Sequence, residues 1–202
     1  MKNKIKRQSL LRESWNYVRE SRNYIWFALF VFLGFLIAGL IFPTPGFLEE
    51  QIKEIITKLA SQIEGLNNFQ LILFIFKNNL LVSLMAVFLG VIFCFVPVII
   101  AASNGYVVGF VVKTMIEKLG AVDGTLSLWR ILPHGIFELP AVIISLGLGI
   151  RLGVLAFESF NKGSFKTLKG SLKKMLIVVV YVILPLLIIA AIIEGILIGV
   201  LK

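Results

Sequence analysis

The chain has 202 residues, of which 58% are hydrophobic, and its mean hydropathy is +0.97. Since an ordinary soluble domain is about 45–50% apolar, this composition predicts an integral membrane protein. The net charge of +9 does not indicate nucleic-acid binding, because the basic residues lie at the ends of apolar runs without interleaved aromatic residues. The single cysteine, Cys94, excludes an intrachain disulfide and a thiolate zinc site.

Residues 1–23 form a basic segment in which Leu11, Trp15 and Val18 recur at helical spacing. This pattern predicts an amphipathic helix on the cytoplasmic membrane surface, with a plain charged tail as the alternative. Residues 24–42 follow as an apolar run of about 19 residues, which at ~1.5 Å per residue spans the ~30 Å hydrocarbon layer. We expect the first transmembrane helix here.

Residues 43–78 are predicted to form an amphipathic segment outside the cytoplasm. The segment begins at the helix-stopping sequence Pro43–Gly46, and Phe47–Gly65 then separates apolar from charged residues at helical periodicity. That helix would either rest on the outer surface or cover the bundle. Lys77–Asn79 interrupts the next apolar run, so the second span is placed at 79–102.

The third span is predicted at 104–119, after a tight turn at Asn104–Gly105. Pro97 would kink the cytoplasmic end of the second span. Because the apolar length of the third span is marginal, a broken or re-entrant segment stays open, and so does a re-entrant element within residues 126–135.

The fourth span is predicted at 136–155, a cytoplasmic basic loop at 156–174, and the fifth span at 175–201, interrupted by Pro185 and Glu194. The predicted fold is therefore an all-α polytopic membrane helix bundle. It has about five transmembrane helices plus amphipathic interfacial helices, in a single membrane domain over residues 1–202.

The distribution of cations predicts how this bundle lies in the cell membrane. With the N-terminus cytoplasmic and the C-terminus outside, thirteen Lys and Arg residues fall on the cytoplasmic side and seven on the other side. Cytoplasmic segments carry an excess of such residues, so this orientation is favoured.

One group of polar residues is expected at a common depth in the outer half of the bundle. Polar groups are costly in hydrocarbon, so each requires a partner or a function. His134 and Glu138 are four residues apart and share a helix face, which suits a hydrogen-bond cluster that fixes helix register, an ion or ligand pathway, a metal, or a catalytic pair. The candidate cluster comprises His134, Glu138, Glu194, Lys113 and Arg130.

Each predicted span also carries a pair of small residues four positions apart, a pattern that lets membrane helices approach closely. These pairs are Gly34/Ala38, Ala86/Gly90, Gly105/Gly109, Gly149/Gly153 and Gly195/Gly199. Their recurrence on all five spans indicates tight helix packing, either within one chain or between chains.

The stretch LPHGIFELPA followed by GLGIRLG, the turn NGYVVGF, and PLLIIAAIIEG in the last span resemble the stage II sporulation protein M family. The resemblance covers roughly residues 78–199 and implies a five-span membrane protein. The family motif maps to Asn104, Gly105, His134, Gly135, Glu138, Pro140, Arg151, Glu194 and Gly195, and it implies no catalytic assignment for any of them. In spore formers the namesake works in a membrane complex with a peptidoglycan-degrading enzyme.

The sequence therefore predicts a non-enzymatic membrane scaffold or assembly partner, with no cofactor and no bound metal. Its expected partners are the lipid bilayer and other membrane proteins, and homo-oligomerisation is left open. No P-loop, Ser-His-Asp set or dinucleotide fingerprint is present in the sequence. Two alternatives remain: a transporter or channel that uses the outer His/Glu cluster, and an intramembrane hydrolase or metalloenzyme.

Overall fold

The computed structural model describes residues 2–128 and 132–200, with side chains described for residues 8–120 and 136–197. These residues form α1 (Lys2–Glu20), α2 (Arg22–Ile41), α3 (Gly46–Ile63), α4 (Asn68–Ile92), α5 (Val96–Leu128), α6 (Leu132–Lys162), α7 (Lys166–Val178), a π-helical turn (Val179–Ile183) and α8 (Leu184–Val200). No strand occurs within the described ranges. The predicted all-α fold is confirmed.

Five helical segments are long and apolar enough to cross a membrane, as predicted. They are Arg22–Ile41, Asn68–Ile92, Val96–Gly120, Ile136–Lys162 and Lys166–Leu197. Large apolar side chains such as Phe30 and Phe42, 66% and 62% exposed, cover the outer surface of the bundle, as expected where lipid replaces water. Below, the proximal end of the bundle is the end at which α2 begins, and the distal end is the end at which α2 ends.

The core of the bundle is centred on α6, which contacts α2, α4, α5 and α8. Its side chains Leu146, Leu148 and Leu152 are fully buried. Since successive spans alternate in direction, α4 and α6 run the same way through the bundle. The middle of α6 is therefore surrounded by protein, whereas α2 keeps one face open.

The second span is displaced toward the N-terminus from its predicted bounds, 79–102. A capping box, in which the side chains of Asn67 and Gln70 bond each other's backbone N–H, starts α4, which then runs to Ile92. The predicted interruption at Lys77–Asn79 is wrong, because polar side chains on a helix leave its backbone hydrogen bonds intact.

The turn predicted at Asn104–Gly105 is also wrong, since both residues lie inside α5. The chain reverses at Phe93–Phe95 instead, and Pro97 follows in the first turn of α5, where its missing N–H is tolerated. The third span is 25 residues long and ends at Gly120, whose φ of 82° leaves the helical region. It is therefore not the short segment predicted from its apolar length.

The predicted loop at 156–174 is mostly helical. The fourth span continues to Lys162, the chain turns at Gly163 with a φ of 63°, and α7 begins at Lys166. The basic residues of this region therefore lie on two packed helices at the proximal end.

The fifth span continues from α7 through the π-helical turn into α8, and neither Pro185 nor Glu194 ends it. The π-helical turn ends two residues before Pro185, and such turns re-pair the backbone groups that a proline leaves free. Glu194 lies six residues before the end of α8.

The two predicted amphipathic helices differ in how they use their apolar faces. In α1 the buried residues are Ser14 and Tyr17, and the helix packs on α7, while Trp15 of the predicted apolar stripe is 52% exposed. In α3 only Ile52 is buried, and Phe47 is 69% exposed. Among the described residues, no helix packs extensively on α3.

Candidate functional site

Polar side chains from three helices meet in the distal half of the bundle. The side chain of Asn79 on α4 lies near the carboxyl of Glu138 on α6. Glu194 on α8 is close enough to interact electrostatically with Glu138. Both glutamates are half-buried, and both had been placed at this depth by sequence reasoning. We call Asn79, Glu138 and Glu194 the intramembrane polar cluster.

One member of this cluster, Asn79, was missed by the sequence reasoning. Asn79 is 9% exposed and Ser83, one helical turn further along α4, is 1% exposed. The Ser83 Oγ has no hydrogen-bond partner among the described residues. The signal for Asn79 in the sequence was a polar side chain within an apolar run, which requires a partner in hydrocarbon.

The remaining predicted members do not join the cluster through any described contact. Lys113 belongs to α5 and lies beside the distal end of α2, where its Nζ donates to the carbonyl of Phe42 at 3.1 Å. The same Nζ lies 4.0 Å from the carboxylate of Glu117. Arg130 and the side chain of His134 lie outside the described residues.

Two glycines of the family motif, Gly105 and Gly195, lie at contacts between helices. The Asn104 amide donates to the carbonyl of Ile100 at 2.8 Å, Gly105 packs on α2, and Gly195 packs on the side chain of Ile72. Pro140 lies within α6 and is exposed. Gly135 belongs to α6, but its surroundings lie outside the described residues.

Arg151 fastens α1 to the bundle at the proximal end. Its Nη1 donates to the Ser21 Oγ at 2.7 Å and to the Tyr17 carbonyl at 3.4 Å, and its Nη2 lies 3.4 Å from the Glu20 carboxylate. The guanidinium carbon also lies 4.4 Å from the centroid of the Tyr17 ring. Burial raises the pKa of the Tyr17 hydroxyl above its ordinary value of 10.0.

Small residues bring the backbones of neighbouring spans into direct contact. Gly149 of α6 lies against the carbonyl of Ala86 on α4, and Gly153 lies against the carbonyl of Gly90 one turn further on. A Cβ on any of these three glycines would clash with backbone, so no larger residue fits. The same arrangement joins α5 to α2, where Gly105 and Gly109 lie against the carbonyls of Phe32 and Leu36.

The Gly34/Ala38 pair on α2 is different, because it faces away from the bundle. A Cβ on Gly34 would meet nothing within 4 Å. Gly34 and Ala38 form the floor of a shallow groove of about 380 Å³ with aromatic walls that include Phe27, Phe30 and Phe35. We call this surface the α2 groove. It has the small-residue spacing of the internal contacts, but none of the described helices packs on it.

Among the described residues, no group of three or more His, Cys, Asp or Glu side chains is close enough to hold a metal ion together. The described members of the intramembrane polar cluster are carboxylate and amide groups. These groups can hold a proton, a hydrogen-bond network or a hard cation, and they are not the imidazole or thiolate ligands that zinc and copper prefer.

Comparisons with known proteins identify the family of this chain. The family model described as stage II sporulation protein M matches residues 24–197. The chain is 33% identical over 136 residues to uncharacterized protein MJ0706 of Methanocaldococcus jannaschii, a match that covers 64% of this chain and 56% of the relative. The chain thus spans little more than half the length of that relative. No solved structure matches the chain.

Proposed function

The chain belongs to the stage II sporulation protein M family, and from this premise we propose that it is a non-enzymatic membrane scaffold that assembles with other membrane proteins through α2. The partner class that the family implies is a complex containing a cell-wall hydrolase. In this function the protein contributes a rigid, tightly packed bundle and a surface for docking.

The observation that carries the proposal is the contrast between the α2 groove and the other small-residue pairs. Three described small-residue pairs already form backbone contacts between helices of the chain. These pairs are Ala86/Gly90, Gly149/Gly153 and Gly105/Gly109. Gly34/Ala38 has the same spacing and is open. Lipid tails are as apolar as the helix surface, so no hydrophobic effect drives helices together within the membrane. Their association depends instead on close packing, which small residues permit.

The proposed orientation places the N-terminus in the cytoplasm and the C-terminus outside the cell membrane. The packing of α1 and α7 supports it, because it gathers the exposed cations Arg12, Arg19, Lys166, Lys169 and Lys173 at the proximal end. An excess of Lys and Arg next to the spans is characteristic of the cytoplasmic side.

The experiment replaces Gly34 by Leu, which occupies the α2 groove from a position where an added Cβ meets nothing within 4 Å. Gly170→Leu is the matched control, because a Cβ at Gly170 also meets nothing within 4 Å but lies on α7. Assembly is read in native membranes by chemical crosslinking and by the size of the detergent-extracted complex. Gly34→Leu should reduce the complex to the single chain, and Gly170→Leu should not. A wild-type protein that is a single chain under both measurements overturns the proposal.

A further inference from the structure

A small polar cavity lies at the distal end of the bundle, between the first turns of α3 and the end of the third span. Its volume is about 180 Å³, and its lining contains three lysines against two glutamates, together with two threonines and one aromatic ring. These residues are Lys53, Lys113, Lys118, Glu49, Glu117, Thr44, Thr114 and Phe110. We call this space the distal cavity.

The distal cavity lies at the level where the hydrocarbon layer ends. The Nζ of Lys113 donates to the carbonyl of Phe42, the residue that follows the last residue of α2. The side chains of Phe42 and Ile41 are 62% and 64% exposed, as expected for residues that face lipid chains. A cavity beside them therefore faces the headgroups of the distal leaflet.

Lys113 can donate further hydrogen bonds into the distal cavity. An ammonium group has three N–H donors, and one of them reaches the carbonyl of Phe42 at 3.1 Å. The carboxylate of Glu117 is 4.0 Å from the Nζ, which is beyond hydrogen-bond distance. The Lys113 side chain is only 24% exposed, so it is held against the protein rather than extended into water. The cavity therefore contains a fixed cation with unused donors.

Two further groups of the distal cavity can bind an anion. Lys118 adds a second cation, and none of the ion pairs between described residues involves it. The Thr44 Oγ1 accepts a hydrogen bond from the hydroxyl of Tyr106 at 3.1 Å, which leaves the Thr44 hydroxyl hydrogen free to donate. A charged donor from α5 and a neutral donor from the α2–α3 connection thus line the same space.

The two glutamates of the distal cavity do not cancel its positive charge. Glu49 accepts a hydrogen bond from Lys53, and this bond lowers the pKa of Glu49 below its ordinary value of 4.5. The charge of Lys113 also lowers the pKa of Glu49, so the field of Lys113 reaches α3. The side chain of Glu117 is 63% exposed, and water screens its charge. The described lining therefore keeps a positive balance toward a ligand.

We propose that the distal cavity binds the phosphate group of a membrane phospholipid. Lys113 and Lys118 would supply the charge and Thr44 a hydroxyl donor, which suit the acceptor oxygens of a phosphate. A lipid is favoured over a free phosphate ester, because the exposed side chains of Phe42 and Ile41 provide an adjacent apolar surface for its acyl chains. The bound lipid would hold the ends of α2 and α5 together with the start of α3. This site depends neither on the α2 groove nor on the proposed scaffold function.

The first test measures the thermal midpoint of the purified protein in a non-ionic detergent. Dioctanoylphosphatidylglycerol is compared with dioctanoylglycerol, which lacks the phosphate, and with inorganic phosphate, which lacks the chains. A ligand that binds only the folded state raises the midpoint, and we expect the phospholipid alone to raise it by several degrees. An equal rise with inorganic phosphate would identify a site for free phosphate, and an equal rise with dioctanoylglycerol an apolar contact. Either result, or no rise with the phospholipid, overturns the proposal.

The variants Lys113→Gln and Lys118→Gln test the two cations. Each removes a charged donor to the phosphate, so the phospholipid concentration needed for half of the shift should rise about tenfold or more. Lys58→Gln is the matched control, because Lys58 is an exposed lysine of α3 that does not line the distal cavity. It removes the same charge, so a general attraction to anionic lipid would weaken equally in all three variants. Equal losses in Lys58→Gln and Lys113→Gln therefore refute the site.

A second measurement uses the wild-type protein and does not depend on the folding of variants. A phosphatidylglycerol with a diazirine in its headgroup is photolysed with the protein, and mass spectrometry of peptides locates the adducts. We expect adducts within residues 44–53 and 113–118, which excess dioctanoylphosphatidylglycerol should suppress and inorganic phosphate should not. Adducts that are equally frequent around Lys58, or that the competing phospholipid does not suppress, contradict the proposal.

Discussion

Gly90 of α4 and Gly149 of α6 lie in direct backbone contact. A Cβ built on Gly90 would come within 2.5 Å of the carbonyl oxygen of Gly149, closer than real side chains approach backbone. Ala86 and Gly153 extend this contact by one turn in each direction. The two helices therefore meet along a backbone-to-backbone seam of the kind that small residues permit in membranes.

Gly149→Leu is expected to separate α4 from α6. A leucine side chain at this position must displace backbone, and overpacking of this kind costs about 1–3 kcal/mol or more. The thermal midpoint in detergent should fall by several degrees, measured by the loss of monodisperse protein on heating. Gly34→Leu is the control, since it adds the same side chain to open space. Equal midpoints for the two variants would mean that the seam does not exist.

Arg151→Lys is expected to loosen α1 from the bundle. A lysine keeps the charge but cannot bond Ser21 and Glu20 simultaneously through a planar fork, and the loss of such charged hydrogen bonds costs roughly 1–3 kcal/mol. Hydrogen exchange should become faster in α1 while the spans keep their protection. Lys162→Gln, which breaks a surface ion pair whose side chains are 72% and 49% exposed, should leave the exchange of α1 unchanged. If the amide hydrogens of α1 exchange as slowly in Arg151→Lys as in the wild type, contacts other than those of Arg151 hold α1 on the bundle.

Tyr17→Phe is expected to make the protein more resistant to alkali. Because burial raises the pKa of Tyr17 in the folded protein, folding favours the protonated phenol. This contribution to stability is complete below the ordinary pKa of 10.0 and is lost as the pH rises through the raised value. Above pH 10 the thermal midpoint of the wild type should therefore fall more steeply than that of Tyr17→Phe. Parallel curves for the two proteins would show that Tyr17 is not buried in solution.

Asn67→Ala is expected to weaken the start of α4. The variant removes the side-chain acceptor for the Gln70 N–H, and the loss of such a cap costs about 1 kcal/mol. The first turn of α4 should exchange its amide hydrogens faster, with little change in the thermal midpoint of the bundle. If exchange in this turn is unaffected, α4 does not begin at Asn68.

The number of spans could be predicted from the sequence because length and hydropathy alone decide whether a helix crosses a bilayer. The boundaries of the spans could not be predicted in this way. In the sequence, the polar residues of Lys77–Asn79 and Asn104–Gly105 interrupt the apolar runs and so resemble helix ends. In the structure these residues stay helical, since lysine and asparagine side chains reach the surface or a neighbouring helix without breaking the backbone hydrogen bonds. Pro97 indicated a kink, whereas its actual position is the first turn of a helix.

The candidate site could be predicted only in part. Glu138 and Glu194 were identified because carboxylates are rare in apolar helices and their positions in the spans gave similar depths. Asn79 is 59 positions before Glu138 in the chain, and only the packing of α4 on α6 brings the two together. Likewise the spacing of Gly34 and Ala38 matched that of the other small pairs, and only the structure shows that this pair is open.

The central claim, that α2 provides the docking surface of a membrane scaffold, is tested most directly by a photo-crosslinking amino acid placed at Ala38. The control position is Met85 on α4, which is also exposed to lipid at 43%. In native membranes, Ala38 should give one defined protein adduct, either a second copy or a single partner, that disappears when Gly34→Leu is added, and Met85 should give none. Adducts with lipid alone at both positions would contradict the account.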